Sequence, residues 1–312
     1  MKISVQSQNL VREFGAESAY RMIREAGFEA VDWNIDHGWT FSEILKAPKL
    51  EGLSIFEKPI EDILEYYSDE IAQIRKNGLT VTQAHAPFPP YATGREDILE
   101  YAIGIYQNCI RLCQAVGCKN LIIHGICRSV GDTDLTDERY EELNLRLYEA
   151  LIPVLSQTDV VVCLENIFTG STRLGNYNFY EGVCSNPHVA AEWIDRLNEK
   201  AGKTCFGLCL DTGHLNLLRK LPNSYIPIVG NRICSLHIHD NMQSFDSHLM
   251  PYTGSISWSE MLKELRAVGY QGDLSFETFG QTGTQRLPRE LVPVFLRTIA
   301  EIGHYFKREL QA

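Results

Sequence analysis

Eight short apolar runs, each followed by a longer helical or irregular stretch, set the tightest limit on what this chain can fold into. The runs occupy residues 2–7, 30–35, 79–85, 120–124, 160–166, 205–211, 232–238 and 273–278. Helical stretches are predicted over 17–26, 60–76, 97–116, 137–156, 187–200, a shorter segment near Leu215, 257–268, and from about residue 288 onward. The segment 60–76 shows the signal: Ile60, Ile63, Leu64, Tyr67, Ile71 and Ile74 recur at the period of one helix face, and Asn77-Gly78 ends it. Gly27 closes the first helix, being a residue that accepts the left-handed C-cap conformation. The runs are rich in Val, Ile, Leu and Cys, as parallel strands covered on both faces should be. Eight such strands alternating with helices close naturally into an α/β fold, the single (β/α)8 TIM barrel, which commonly fills about 250 residues. The 312 residues are read as one domain, 1–312, with a loop or short-helix insertion around 39–59, where prolines interrupt any period. A doubly wound open sheet is the alternative, but no GxGxxG follows the first run.

In a barrel of this kind the loops at the strand C-termini build the active site. Polar residues gather at those ends. His85 ends the third run in QAHAPF, His124 the fourth in LIIHG, and Glu165 the fifth in VVVCLEN. Asp211 and His214 close the sixth in LCLDTGH, His237 and Asp240 the seventh, and Glu277 the eighth in DLSFET. The seventh run leads into the densest stretch, where His237, His239, Asp240, Asp246 and His248 fall within twelve residues, and strand alternation puts His237 and His239 on one side. Imidazoles and carboxylates at one rim suit Zn or Mn, and they also suit proton transfer without a metal.

A single His on a strand is more often a hydrogen-bonded core residue than a ligand. Glu165 and Glu277 are harder to explain that way, because each follows an apolar run and an unpaired buried carboxylate is costly. Six consecutive strands delivering an ionisable group to the same rim point to one shared site. His37, His188, His239 and His304 lack such placement. Trp33 and Trp39 can line a sugar-stacking wall or serve as packing. The acidic run at 132–142 reads as a helix start, and 169–186 as a Gly- and Asn-rich loop.

The formal net charge of -11 repels polyanions, which argues against nucleic acid and anionic membranes as partners. Nine cysteines, an odd number with no CxxC pair, read as buried hydrophobes in a reducing compartment. MKISVQSQNL has no apolar h-region and no stretch of eighteen apolar residues occurs, so a cytoplasmic location is expected, with a homo-oligomer as one option.

At the rim residues the sequence resembles the xylose-isomerase-like TIM-barrel superfamily, which includes sugar isomerases, ketose epimerases, inosose dehydratase-like enzymes and the metal-dependent apurinic endonuclease. The resemblance spans nearly the whole chain and rests on the Glu of CLEN, the Asp and His of LDTGH, the His of SLHIHD, the pair Asp246 and His248, and the Glu of SFET. It implies a four-ligand metal site of Glu165, Asp211, His237 and Glu277. PYTGSISW resembles the family's PGxGxxxW loop, with Tyr252 in place of the first Gly. Where ketose 3-epimerases typically carry a second Glu and an Arg, this chain has Ser171 and Gln243. His85, His124, Glu165, Asp211, His214, His237, Asp246, His248 and Glu277 also match, position by position, the nine ligands of the endonuclease's trinuclear zinc site.

The expectation drawn from residues and resemblance together is a metal-dependent isomerase or epimerase acting on a sugar or sugar phosphate by proton transfer next to a carbonyl. Mn or Zn is the expected cation, with Mg or Co as options. Glu165 and Glu277 are the expected proton-transfer groups and His214 positions a hydroxyl. His85, His124, Asp246, His248 and Trp33 are additional metal or substrate contacts. The rivals are a zinc-dependent phosphodiester hydrolase, an inosose dehydratase-like lyase, and a binding module without catalysis.

Overall fold

The computed structural model describes residues 1–35, 44, 46, 47, 49–127, 135–171, 178–283 and 287–312. Its strands in chain order are β1 (Ile3–Gln6), β2 (Ala30–Asn34), β3 (Thr80–His85), β4 (Asn120–Ile122), β5 (Val161–Glu165), β6 (Phe168–Ser171), β7 (Asn178–Glu181), β8 (Phe206–Asp211), β9 (Ile233–His237) and β10 (Leu274–Phe276). Eight of them pair in parallel in the order β10-β1-β2-β3-β4-β5-β8-β9. The two ends meet just beyond β9, where Ile238 N donates to Ser275 O at 2.8 Å and Glu277 N donates to Ile238 O at 3.1 Å. This closes the expected TIM barrel and removes the edges an open sheet would leave.

Alternation along each strand sorts the side chains into two environments. Val31, Trp33, Val162, Leu164, Leu208, Leu210 and Leu236 join the large core between barrel and helices. The barrel interior is different. In it, two residues before His124, Glu165 and Asp211, sits the small cluster Ile122, Cys163 and Cys209. Beside it runs a hydrogen-bonded group in which Ser235 Oγ donates to Gln83 Oε1 at 3.1 Å and Gln83 Nε2 donates to Asp32 Oδ2 at 2.8 Å. The C-terminal mouth carries Glu165, Asp211, His237 and Glu277, all buried.

Several elements depart from the sequence pattern. The stretch 60–76 forms two helices, Ile60–Tyr66 and Ser68–Lys76, because Tyr67 leaves the helical conformation. Its hydroxyl then donates to Ile35 O at 3.2 Å while its ring meets Trp33 edge-on. The stretch 137–156 likewise divides into Asp137–Glu149 and Ile152–Leu155, where Pro153 lacks the N–H that a continuous helix needs. Helices Gln8–Phe14 and Pro222–Val229 carry no strong sequence signal, the first being short and the second containing two prolines. The expected loop at 169–186 contains an antiparallel hairpin, with Thr169 opposite Tyr180 and Gly170 opposite Phe179. Within the 39–59 insertion the described residues include a turn at Ile55–Glu57, capped by Ser54 and Glu57. The rest of that region, with His37, Trp39 and residues 132–134 of the acidic run, falls partly or wholly outside the described residues.

Candidate metal centre

Three strand ends bring Glu165, Asp211 and His237 together so that one ligand atom from each lies within 4.8 Å of the others. His237 Nδ1 stands 3.2 Å from Glu165 Oε1 and 3.7 Å from Asp211 Oδ2. Two ligands each about 2.0–2.2 Å from a shared ion stand roughly 3.0–3.6 Å apart; the first separation falls inside that range and the second 0.1 Å beyond it. Glu277 reaches the centre through His237, with which it forms a second group that includes Asp32 and His85. Its Oε1 is 3.2 Å from His85 Nε2, and its Oε2 is 3.5 Å from His248 Nδ1.

Local sequence explains how these groups are held. Asp211 caps the helix Thr212–Leu217 by accepting from His214 N at 2.7 Å through Oδ1, which leaves Oδ2 for the centre. Asn166, the Asn of CLEN, pins the Asp211 backbone by donating to its carbonyl at 2.9 Å and accepting from its amide at 2.8 Å. His214 then stands 3.3 Å from Glu165 Oε1 through Nδ1 and 3.4 Å from Asp246 Oδ2 through Nε2. His124 Nε2 lies 2.7 Å from Glu165 Oε2, and His248 Nε2 lies 3.0 Å from Asp246 Oδ2.

Asp240 takes a different part. Its Oδ2 accepts from Trp258 Nε1 at 2.9 Å and its Oδ1 accepts from Asn241 N and Ile256 N, so it ties down the PYTGSISW loop. Gly254 is required there, since a Cβ on it would stand 2.2 Å from Asp240 Oδ1. Tyr252, in the place of the motif's first Gly, keeps a left-handed backbone with φ 71°. Trp33 faces away from the site. It is fully buried with its ring centroid 5.0 Å from that of Tyr67, in the layer between barrel and helices.

Two residues join the centre that the strand-end rule passed over. Asp32 lies inside β2 with no exposure, and His85 Nδ1 is 2.9 Å from its Oδ1. His239, set aside on the sequence, is also fully buried, with Nε2 3.0 Å from Asp211 Oδ2 and Nδ1 3.9 Å from Asp246 Oδ1. The signal for His239 was the two-residue spacing from His237, which puts both on one side of an extended chain. For Asp32 it was a carboxylate flanked by Val31 and Trp33.

The charges here keep one another ionised. Burial pushes the Glu165 carboxyl up, yet His237 and His124 hold it well below the usual carboxylate range. Glu277 is held low against the same burial by His237, His85 and His248, and Asp246 by His214 and His248. Burial disfavours a charged imidazole, but Glu277 and Glu165 raise His237 to about 9, and Asp246 raises His248 to about 9. His85 and His214 are raised well above the ordinary value by Asp32 and Glu277 and by Asp211, Asp246 and Glu165 respectively, again against burial. Among the described residues, every ion-pair partner of Asp32, Glu165, Asp211, Asp246 and Glu277 is a histidine.

A divalent cation fits this donor set. His239 Nδ1 and Asp246 Oδ1 are buried without a hydrogen-bond partner, an expensive state for polar atoms that serve only packing. A ring of aromatic side chains surrounds the mouth, with Phe88 against His124, Phe168 against His214 and Phe279 against His248. A large crevice of about 1220 Å³ opens at the opposite end of the barrel, among Lys2, Lys119, Arg232 and Cys234, away from this chemistry.

Comparison with known proteins agrees with the geometry. The family model for the xylose isomerase-like TIM barrel matches residues 20–298. An uncharacterised protein, y4fM, of Sinorhizobium fredii is 28% identical over 276 residues, covering 85% of this chain and 81% of that protein. The D-psicose 3-epimerase of Enterocloster bolteae is 31% identical over 121 residues, covering 37% of this chain and 38% of that enzyme. The crystal structure of a D-tagatose 3-epimerase-like protein superimposes with a TM-score of 0.68 at 19% identity, each chain covered in full.

Proposed function

The chain belongs to the xylose isomerase-like TIM-barrel family, and on that premise we propose that it is a divalent-metal-dependent sugar isomerase or epimerase that moves a proton at a carbon next to a carbonyl. The observation that carries this reading is the meeting of Glu165, Asp211 and His237 in one ligand group at the barrel mouth, with Glu277 joined to it through His237. These four residues would hold the cation, Mn or Zn suiting a shell of carboxylate and imidazole. When bound, the cation supplies Lewis-acid polarisation of a substrate carbonyl. Glu165 and Glu277 are the groups that remove and return the proton, and His214 orients a substrate hydroxyl. His85, His124, Asp246 and His248 are supporting contacts to cation or substrate. We read 1–312 as one domain around this site, in a cytoplasmic protein.

Glu277→Gln keeps the shape and one oxygen ligand but removes the proton acceptor, so activity should fall by roughly two decades or more. The specific readout is solvent deuterium entering the product of the wild-type reaction. Turnover without deuterium, under conditions that exclude internal return, would overturn the proton-transfer mechanism.

A second reading, phosphodiester hydrolysis at a multinuclear zinc centre, draws on one further observation. His239, Asp246 and His248 form a ligand group distinct from Glu165, Asp211 and His237. Metal count separates the two. We expect one tightly held ion per chain, unchanged by His248→Ala. Elemental analysis giving close to three zinc ions, one of them lost with His248→Ala, would promote the hydrolase.

A further inference from the structure

Asp32 is fully buried in the middle of β2, one layer below the barrel mouth. A carboxylate is an expensive group to place there unless it has a task, because desolvation is repaid only by good partners. Its Oδ2 accepts from Gln83 Nε2 at 2.8 Å and from Ser275 Oγ at 3.3 Å, which anchors it to β3 and β10. Its Oδ1 meets His85 Nδ1 at 2.9 Å. The same Oδ2 faces His237 Nε2 at 3.8 Å, a buried nitrogen with no hydrogen-bond partner. The two rings lie stacked, with centroids 4.6 Å apart and planes 16° apart, so both turn an edge toward Asp32. Their opposite edges face the centre: His85 Nε2 toward Glu277, and His237 Nδ1 toward Glu165 and Asp211.

We propose that Asp32 is a positioning residue for the metal centre, fixing the orientation and tautomer of His85 and His237 from behind so that His85 Nε2 and His237 Nδ1 are the nitrogens turned toward it. The inference rests on the reading that Glu165, Asp211, His237 and Glu277 hold a cation. A carboxylate behind a ligating imidazole fixes which ring nitrogen carries the hydrogen and raises the basicity of the other. Gln83 and Ser275 bond to the carboxylate and make no hydrogen bond to either ring.

Mn²⁺ and Zn²⁺ affinity, measured separately by chelator competition on folded protein, tests this. Asp32→Asn should weaken both by about 10–100-fold. Ser275→Ala, which removes one bond to the same carboxylate and leaves both imidazole contacts, should leave affinity unchanged. Equal losses in the two variants would reduce Asp32 to a structural role, and wild-type affinity in Asp32→Asn would overturn the inference while leaving the metal reading intact. A wild-type protein that takes up no cation overturns both. Should Asp32→Asn fail to fold, long-range ¹H–¹⁵N correlations of the metal-loaded wild-type imidazoles decide. The expected pattern is hydrogen on His85 Nδ1 and His237 Nε2; hydrogen on His237 Nδ1 overturns the proposal.

Discussion

His237 and His248 show how tightly this centre holds protons. Both are raised to about 9 in the folded chain, His237 by Glu277 and Glu165 and His248 by Asp246, in each case against burial. An unfolded histidine titrates near 6.5, so the folded state binds these protons more strongly. The stability they contribute is fully present below about 6.5 and is lost as pH rises through about 9. The metal-free protein should therefore lose melting temperature across that window. A divalent cation held through His237, as proposed, would displace that residue's proton, so its stabilising effect should be largest at the alkaline end. Scanning calorimetry between those limits, with and without Mn²⁺, checks both statements. A metal-free melting temperature that climbs with pH across the window would contradict the charge arrangement.

The elements leave little slack around these groups. Helix Thr212–Leu217 begins so close to β9 that a Cβ on Gly213 would stand 2.0 Å from His239 Cε1 and 2.4 Å from its Nδ1. The His239 ring is fully buried and its Nε2 is already committed to Asp211, so it has nowhere to go. Gly213→Ala should cost about 1–3 kcal/mol, as overpacking of a well-filled interior does, and should also weaken metal uptake. Urea denaturation alongside metal titration measures both; loss of stability with full metal affinity would detach His239 from the centre. The elements also mark where sequence reading succeeds. The eight barrel strands were legible because each is an apolar run bounded by polar turns. The hairpin β6–β7 was not, since Asn178, Tyr180 and Glu181 are exposed and no buried face imposes a pattern. The break at Tyr67 was hidden because its ring fits the helical stripe while its hydroxyl is drawn to Ile35 O.

For the molecule as a whole, the net charge of -11 acts on any partner before contact. Duplex DNA is a dense polyanion whose binding depends on neutralising phosphates with Lys and Arg. Fluorescence anisotropy with a labelled abasic duplex should show no binding at physiological salt. Micromolar affinity under those conditions would count for the hydrolase reading. No helix among the described residues is long and apolar enough to cross a membrane.

Sequence by itself determined the alternation of strand and helix, and with it the barrel, because burial on both faces dictates residue type over each run. It also determined which residues stand at the strand ends: Glu165, Asp211, His237 and Glu277 were legible there without any contact being known. Tertiary structure decided what each of them meets. Asp240 and Asp246 are the same residue type six positions apart, yet one secures Trp258 and a loop while the other faces His214 and His248. Asp32 and His85 are far apart in sequence, and only the pairing of β2 with β3 sets their side chains 2.9 Å apart. The physical reason is that composition and period fix how much of a segment must be buried, whereas side-chain direction depends on strand register and loop closure, which long-range pairing alone supplies.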